Sequence, residues 1–576
     1  MFPDRHHLAG CLALALLLGL FGLTALQTAP VAAPPAAEVP KPKLAVLLYF
    51  DQLRGDYLSR WDGLFGEGGF RRLEKEGTWF QNCHYPYAYT VTAAGHASVA
   101  TGCSPDRHGI MGNDWYDRAA GAPVYCVTSD RYQRVPPAPA KKGGAKKAKG
   151  ASPDRLLAPT LADALKAATG GRGRVVALSF KDRAAVLPGG KSPDACFWFD
   201  STTGDFVTSN YYRDRLPAWV ESFNRERRAD RWRGRTWDRL LPGLDYERYS
   251  GPDDVDGESL GVLQGRTFPH PMNGTGPLKL KAAYYGALYT SPFGNDLLLD
   301  FAERAVESER LGRHDDPDLL CVSFSSNDAV GHAWGPDSQE VLDTTLRTDR
   351  QVERLLSYLD ARVGKGRYAV ALTADHGICP LPEVAHARTG QGARLEPTLL
   401  GKRAEAFLTQ TFGGTEGDGR WVEWAEEPWV YFDRAHLKKR GVEPAKAEAA
   451  LAGWLEKQPG ILKAYTRTEL LDAAPAGDAM AQRARRSFRA DRSGDVLVVV
   501  KPYHLVTSRL SGTTHGTPHP YDTHVPLLVS GPGVRHALRR DAVTPQSAAV
   551  ILARALGVAP PAKAEAVVPA GLFEGR

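Results

Sequence analysis

The chain has 576 residues, 43% hydrophobic and 24% charged, a composition ordinary for a globular protein. That length holds one large α/β domain with insertions, or two to four smaller domains. Lys and Arg number 72 against 66 Asp and Glu, but five of the positive charges form one short run (Lys141, Lys142, Lys146, Lys147, Lys149); taking these from the net +6 leaves +1, so the excess is local and does not mark a nucleic-acid-binding surface.

Arg5, His6 and His7 precede an apolar run from Leu8 to about Leu26, and small residues follow from Thr28 to Ala37. Residues 1–37 read as a signal peptide and linker, which predicts a periplasmic or secreted protein. The run is also near the ~20 residues that span a bilayer, so a retained anchor is the alternative, and no other stable membrane partner is expected. Leu8-Ala9-Gly10-Cys11 has the form of a lipoprotein box, but Cys11 precedes the apolar run that such a box should follow. The six later cysteines (Cys83, Cys103, Cys126, Cys196, Cys321, Cys379) are an even number compatible with disulfides in an exported chain, without fixing any pairing.

Short apolar runs at Leu44–Phe50, Val175–Phe180, Leu319–Phe324, Tyr368–Thr373, Val496–Val500 and Val525–Ser530 read as buried parallel strands. Helical stretches such as Leu161–Ala168 and Val341–Leu359 alternate with them. The expected fold is α/β, a doubly wound and mostly parallel sheet with helices on both faces and inserted cap segments. A single catalytic domain is expected over 38–565, followed by a tail over 566–576. Insertions are placed at about 134–153, 201–290 and 385–494. The first is almost wholly Pro, Ala, Gly and Lys and reads as a disordered surface loop. The second holds Trp219, Arg227, Arg228, Trp232, Arg233 and Trp237 with Asp214, Glu226, Asp230 and Asp238 interleaved, and reads as a solvated cap helix.

In an open α/β sheet, ligands bind beyond the carboxyl ends of the strands. There this sequence places Asp51, Lys181 and Arg183, Asp328 with His332, Asp375-His376, and His515 after the run at Val496–Val500. Singly, each has a plain structural explanation, such as a helix cap for Asp51. Together they bring three carboxylates, three histidines and two cations to one rim. Mixed Asp and His ligands suit zinc better than magnesium or calcium, and six ligands divide into two sites of three. Two Zn²⁺ against three carboxylates leave the site near +1, which calls for an anion such as a phosphate ester. Lys181 and Arg183 stand at i and i+2, so an extended segment would point them the same way, toward phosphate oxygens. Thr92-Ala93-Ala94-Gly95-His96 opens a stretch of small residues closing at Thr101-Gly102, a short helix whose N-terminus is a phosphate site. Thr92 alone reads as an N-cap; beside a metal it would be a nucleophile. The Asn113 amide is placed to donate to a phosphoryl oxygen.

These pieces occur in the order of a known group. Asp51, Thr92-x-x-Gly-His96, Thr101-Gly102, His108-Gly109-Ile110, Asp328-x-x-x-His332, Asp375-His376-Gly377 and His515-Gly516 resemble the alkaline phosphatase superfamily. The closer likeness is to its nucleotide pyrophosphatase/phosphodiesterase-like group. Lys181-Asp182-Arg183 and Tyr521-Asp522-Thr523-His524 are similar to the PafA-type zinc alkaline phosphatases within it. The likeness covers roughly 44–200 and 295–535. It implies one zinc on Asp328, His332 and His515, and a second on Asp51, Asp375 and His376. Thr92 would attack phosphorus at the second zinc, form a phosphothreonine and be cleared by water. Asn113, Lys181 and Arg183 would hold the phosphate oxygens, and the Lys–Arg pair favours monoesters, whose phosphoryl group has two charges to neutralise. His96, His108, His519 and His524 are read as structural. The implied activity is alkaline phosphatase on small phosphate esters, with a phosphodiesterase or nucleotide pyrophosphatase as the alternative and a sulfatase or a non-catalytic binding protein behind it. Cys103-Ser104-Pro105-Asp106-Arg107 fits the pattern from which sulfatases make formylglycine, but it follows Thr101-Gly102, whereas the sulfatase cysteine precedes that pair.

Overall fold

The computed structural model describes residues 41–138, 149–272, 280–414, 417–473 and 477–574. The expected signal peptide lies outside them, as do residues 139–148 of the expected loop at 134–153; within the rest of that loop Lys149–Ala151 form a strand paired with Thr128–Val135. The apolar run Leu44–Phe50 forms strand β1, buried along its whole length. It is flanked by β3 (Asp318–Phe324) on one side and β4 (Tyr368–Thr373) on the other, and β2 (Val175–Ser179) pairs with β3. All four are parallel and buried on both faces, which is why each reads as unbroken apolar sequence. They form the centre of a mostly parallel eleven-stranded sheet. Helices pack against the sheet, including α2 (Asp182–Gly189) directly after β2.

Register explains why the polar residues meet. Phe50 of β1 lies level with Phe324 of β3, and Tyr49 with Thr373 of β4. The residues that follow therefore leave the sheet at one height, at the point where strand order reverses on either side of β1. Stacked Phe50 and Phe324 rings, 4.7 Å apart, close the apolar layer beneath them.

The last two apolar runs depart from expectation. Val525–Ser530 contributes β5 (Leu527–Ser530), which joins the sheet antiparallel to β4. Val496–Val500 does not join that sheet; it pairs antiparallel with Trp429–Phe432 and Ile461–Thr466 in a separate four-stranded sheet. Its apolar run has another cause. Val496, Val498 and Val500 face one hydrophobic core, with Leu451 and Trp421, while Leu497 and Val499 face another, with Tyr431 and Phe488. A strand covered on both faces looks the same in sequence whatever its partners.

The Arg- and Trp-rich interval is not the solvated helix expected. Trp237 is fully buried and donates its Nε1–H to Asp343 Oδ2 at 2.7 Å, on the long helix Gln339–Leu359. The interleaved charges are spent on pairing: Arg227 with Asp205 and Asp230, and Arg228 with Glu226. All six later cysteines are buried free thiols, so their even number reflects core positions and not disulfides.

Candidate active site

Five of the six expected ligands leave the sheet rim where the register places them. Asp51 ends β1, Asp375 and His376 follow β4, and Asp328 and His332 share one face of α3 (Ser326–Trp334), which starts just past β3. His515 comes from the loop beyond the second sheet. That loop is held by Asp522, which accepts from Gly516 N, Thr517 N and Thr517 Oγ1 at 3.0, 2.8 and 2.6 Å. Among the described residues the side chains converge into two groups able to hold a metal ion, Asp328–His332–His515 and Asp51–Asp375–His376, the ligand atoms of each within 4.8 Å of one another. The groups touch: the His376 and His515 rings stack with centroids 3.4 Å apart.

The polar chemistry fits a cation in each group. His332, His376 and His515 all place Nδ1 against a backbone carbonyl, those of Thr513, Gly377 and Thr90, at 2.7, 2.9 and 2.9 Å. Nδ1 must then carry the proton, and Nε2 is left with a lone pair aimed inward. Burial pushes the pKa of His376 well down and that of His515 down to about 3, so these rings stay neutral and able to ligate. Asp51 Oδ1 and Asp375 Oδ2 are buried without any hydrogen bond, and Asp51 Oδ2 has the Lys181 ammonium 2.6 Å away. Burial raises both carboxyls, Asp375 to about 7 and Asp51 well above the usual carboxylate range, with the Asp375 charge adding to the rise of Asp51. Orphaned buried carboxylates of this kind call for a metal or another cation.

Thr92 opens helix α1 (Thr92–Thr101), is fully buried, and sets its Oγ1 3.4 Å from His376 Nε2. It is not a helix cap: the N-cap is Val91, whose own side chain makes no capping bond. Instead Asn113 Oδ1 accepts the Ala93 N–H at 3.0 Å, which leaves the Asn113 amide NH₂ as its donor toward the cleft. The helix sits close over Asp375, and a Cβ on Gly95 would lie 2.1 Å from the Asp375 carbonyl oxygen. His96 bridges from below, with Nε2 2.7 Å from Ser323 Oγ and its ring stacked on Tyr49.

The two cations are placed differently from each other. Lys181 is the extended residue before α2, and its Nζ lies 2.6 Å from Asp51 Oδ2 and 2.6 Å from Asp328 Oδ2, between the two ligand groups. Burial opposes its charge, but Asp328 and Asp51 outweigh burial and raise its pKa. Arg183 is not on an extended segment; it is the second residue of α2, so its alignment with Lys181 does not come from strand alternation. It lines the cleft, donates from one terminal nitrogen to Tyr125 Oη at 3.1 Å, and keeps Nε buried without a partner.

A family model for type I phosphodiesterase / nucleotide pyrophosphatase matches residues 45–522. The chain belongs to this family. It is 38% identical over 503 residues to alkaline phosphatase PafA of Elizabethkingia meningoseptica, covering 86% of this chain and 88% of that one. It is 34% identical over 499 residues to alkaline phosphatase PhoV of Synechococcus elongatus, covering 86% of each. The crystal structure of wild-type PafA superposes with a TM-score of 0.83 at 35% identity, covering 93% of this chain and all of that one.

In this member of the phosphodiesterase family, Thr92, Asn113, Arg183, Asp328, His332 and His515 open into a cleft of about 660 Å³. The opposite wall is built by the second sheet and its flanking segments, with Arg394, Glu426, Glu427 and Arg509. The Arg- and Trp-rich interval does not line it. A cleft of about 700 Å³ between Asp254–Glu258 and Glu383–Arg388 is lined by neither Thr92 nor any residue of the two metal-capable groups, so its size does not make it the reaction site. Sequence reasoning missed Gln52, next to Asp51 of one metal-capable group. Gln52 is buried in a left-handed conformation, φ 68°, a strain of roughly 1–3 kcal/mol for a side-chain-bearing residue. A polar residue after a strand-ending Asp carries no pattern that could have flagged it.

Proposed function

We propose that this chain is a two-zinc phosphatase that hydrolyses phosphate monoesters through a phosphothreonine at Thr92. The observation that carries this reading is the position of Thr92 Oγ1, at a helix N-terminus and 3.4 Å from His376 Nε2. Zinc held by Asp328–His332–His515 and Asp51–Asp375–His376 would supply Lewis acidity and lower the pKa of a coordinated hydroxyl. The free N–H groups and positive dipole end of α1 bind the phosphoryl oxygens. Arg183, through its unpartnered Nε, and the Asn113 amide orient the phosphoryl group so that Oγ1 meets phosphorus in line with the leaving alcohol. The Oγ1–P bond forms as the ester P–O bond breaks; water then attacks phosphorus and returns Oγ1, releasing inorganic phosphate. Lys181 adds positive charge at the ligand carboxylates, which favours a dianionic monoester over a monoanionic diester. The relatives named alkaline phosphatases, similar over most of their length, support the phosphatase reading over the diesterase one.

Residues 1–37 support export to the periplasm or beyond, and among the described residues no helix is long and apolar enough to cross a membrane. Purified protein assayed on paired aryl phosphate mono- and diesters, with and without a chelator, tests the reading. The expected result is a larger kcat/KM for the monoester that the chelator abolishes and zinc restores. A larger value for the diester overturns the substrate class, and chelator-insensitive turnover overturns the metal.

A further inference from the structure

Gln52 touches both ligand groups at once. Its backbone N–H donates to Asp375 Oδ1 at 3.1 Å, and its side-chain Nε2 donates to Asp328 Oδ1 at 2.8 Å. Asp375 belongs to one group and Asp328 to the other. Both donors come from one residue whose backbone is held at φ 68°, where an L side chain is strained and glycine is not. The facing helix makes room for this side chain. A Cβ on Gly331, between Asp328 and His332, would lie 1.8 Å from Gln52 Oε1. Glycine inside a helix ordinarily weakens it relative to alanine, so its presence in α3 has a steric purpose there. Strain at 52 and a glycine at 331 are two independent costs carried to seat one carboxamide.

The geometry points to Gln52 as a positioning residue that ties the two metal sites together, fixing one carboxylate of each so that both sites are formed before either is filled. The inference rests on the two-metal reading above. At Asp375 the bond to Oδ1 leaves Oδ2 beside His376 Nε2, 3.3 Å away; at Asp328 the bonded Oδ1 is itself the oxygen 3.0 Å from His332 Nε2, with Oδ2 on Lys181, and both bonds limit the rotation that would be lost on binding. A substitution of the side chain removes the bond to Asp328 but keeps the backbone N–H that meets Asp375, so the Asp328–His332–His515 site should weaken first.

The test reads metal content, not turnover. The full chain, loaded with zinc, is dialysed against a graded series of chelator concentrations, and retained zinc is measured by elemental analysis. Gln52→Gly removes both the strain and the carboxamide. Its thermal midpoint in excess chelator should equal or exceed the parent's, while one zinc equivalent is lost about 10- to 100-fold more readily. Gly331→Ala, a change that favours the helix, should displace the carboxamide and give the same early zinc loss. Gln52→Asn tolerates the left-handed backbone but is too short to span the gap, and should behave as Gln52→Gly does. Retention of both zinc equivalents by Gln52→Gly within about twofold of the parent overturns the proposal; if Gln52→Gly does not fold, Gly331→Ala is judged by the same criterion. A parent that prefers diesters overturns the monoester reading and leaves Gln52's role standing, whereas a parent that holds no zinc overturns both.

Discussion

Helix α1 has a hydroxyl at its start and a thiol just past its end, and the two groups have opposite fates. Thr92 at the N-terminus faces free backbone N–H groups, the positive end of the helix dipole and His376 Nε2. Cys103 follows the C-cap Gly102, faces the negative end, and donates its thiol to Thr101 Oγ1 at 3.3 Å. Ten helical residues separate them by about 15 Å. A thiol is intrinsically the better nucleophile, so side-chain chemistry alone would favour Cys103. Surroundings reverse that order. Burial pushes the Cys103 thiol up to about 11, which withholds the thiolate, while Thr92 stands where a metal would ionise it.

The sharpest way to break this comparison is Thr92→Ala. Turnover should fall by at least about 10³-fold, as expected when a nucleophile is lost, with thermal stability and zinc content unchanged. A variant with kcat within tenfold of the parent, by about the precision of such assays, would mean that water attacks directly and that the N-terminal end of α1 only binds phosphate. Next in size is Arg183→Ala, which removes a charged donor from the cleft. A loss of about 10²–10³-fold in kcat/KM for monoesters is expected, with a smaller loss for diesters, so the ratio of the two should narrow. Arg183→Lys keeps the charge but not the planar fork, and should recover only part of the loss. Equal losses for both ester classes would show that Arg183 does not read the second charge.

The rim of the sheet was legible because the strands that carry it are buried on both faces. Apolar sequence stops abruptly at Asp51, at Ser325 before Asp328, and at Asp375, and equal register turns those stops into one site. The same reasoning misplaced Val496–Val500, because burial on both faces also arises between two small cores in an inserted sheet. It gave Arg183 the wrong backbone, since an extended pair and a strand-to-helix junction share the same i, i+2 spacing. It read buried tryptophans such as Trp237 as a solvated face because their charged neighbours dominate the composition. Gln52 was invisible for a different reason: its role lies in a left-handed φ and two long-range bonds, to Asp375 and Asp328, and neither has a local signature.

The smallest expected effect is the most discriminating for the far end of α1. Cys103→Ala should leave kcat/KM within about twofold of the parent, because a thiol about 15 Å from Thr92 touches neither ligand group. Its cost belongs to packing, about 1 kcal/mol for trimming a small buried side chain. The pH dependence has a definite sign. The thiol's pKa is raised from 9.0 to about 11 by burial, so its contribution to stability is full below pH 9 and is lost as pH rises through about 11. Removing the thiol removes that loss. The difference in thermal midpoint between parent and Cys103→Ala should therefore shrink between pH 8 and pH 10.5, a range set by that shift. A gap that widens with pH would show a thiolate held in the native state, and a loss of turnover would show that the end of α1 beyond Gly102 takes part in the chemistry.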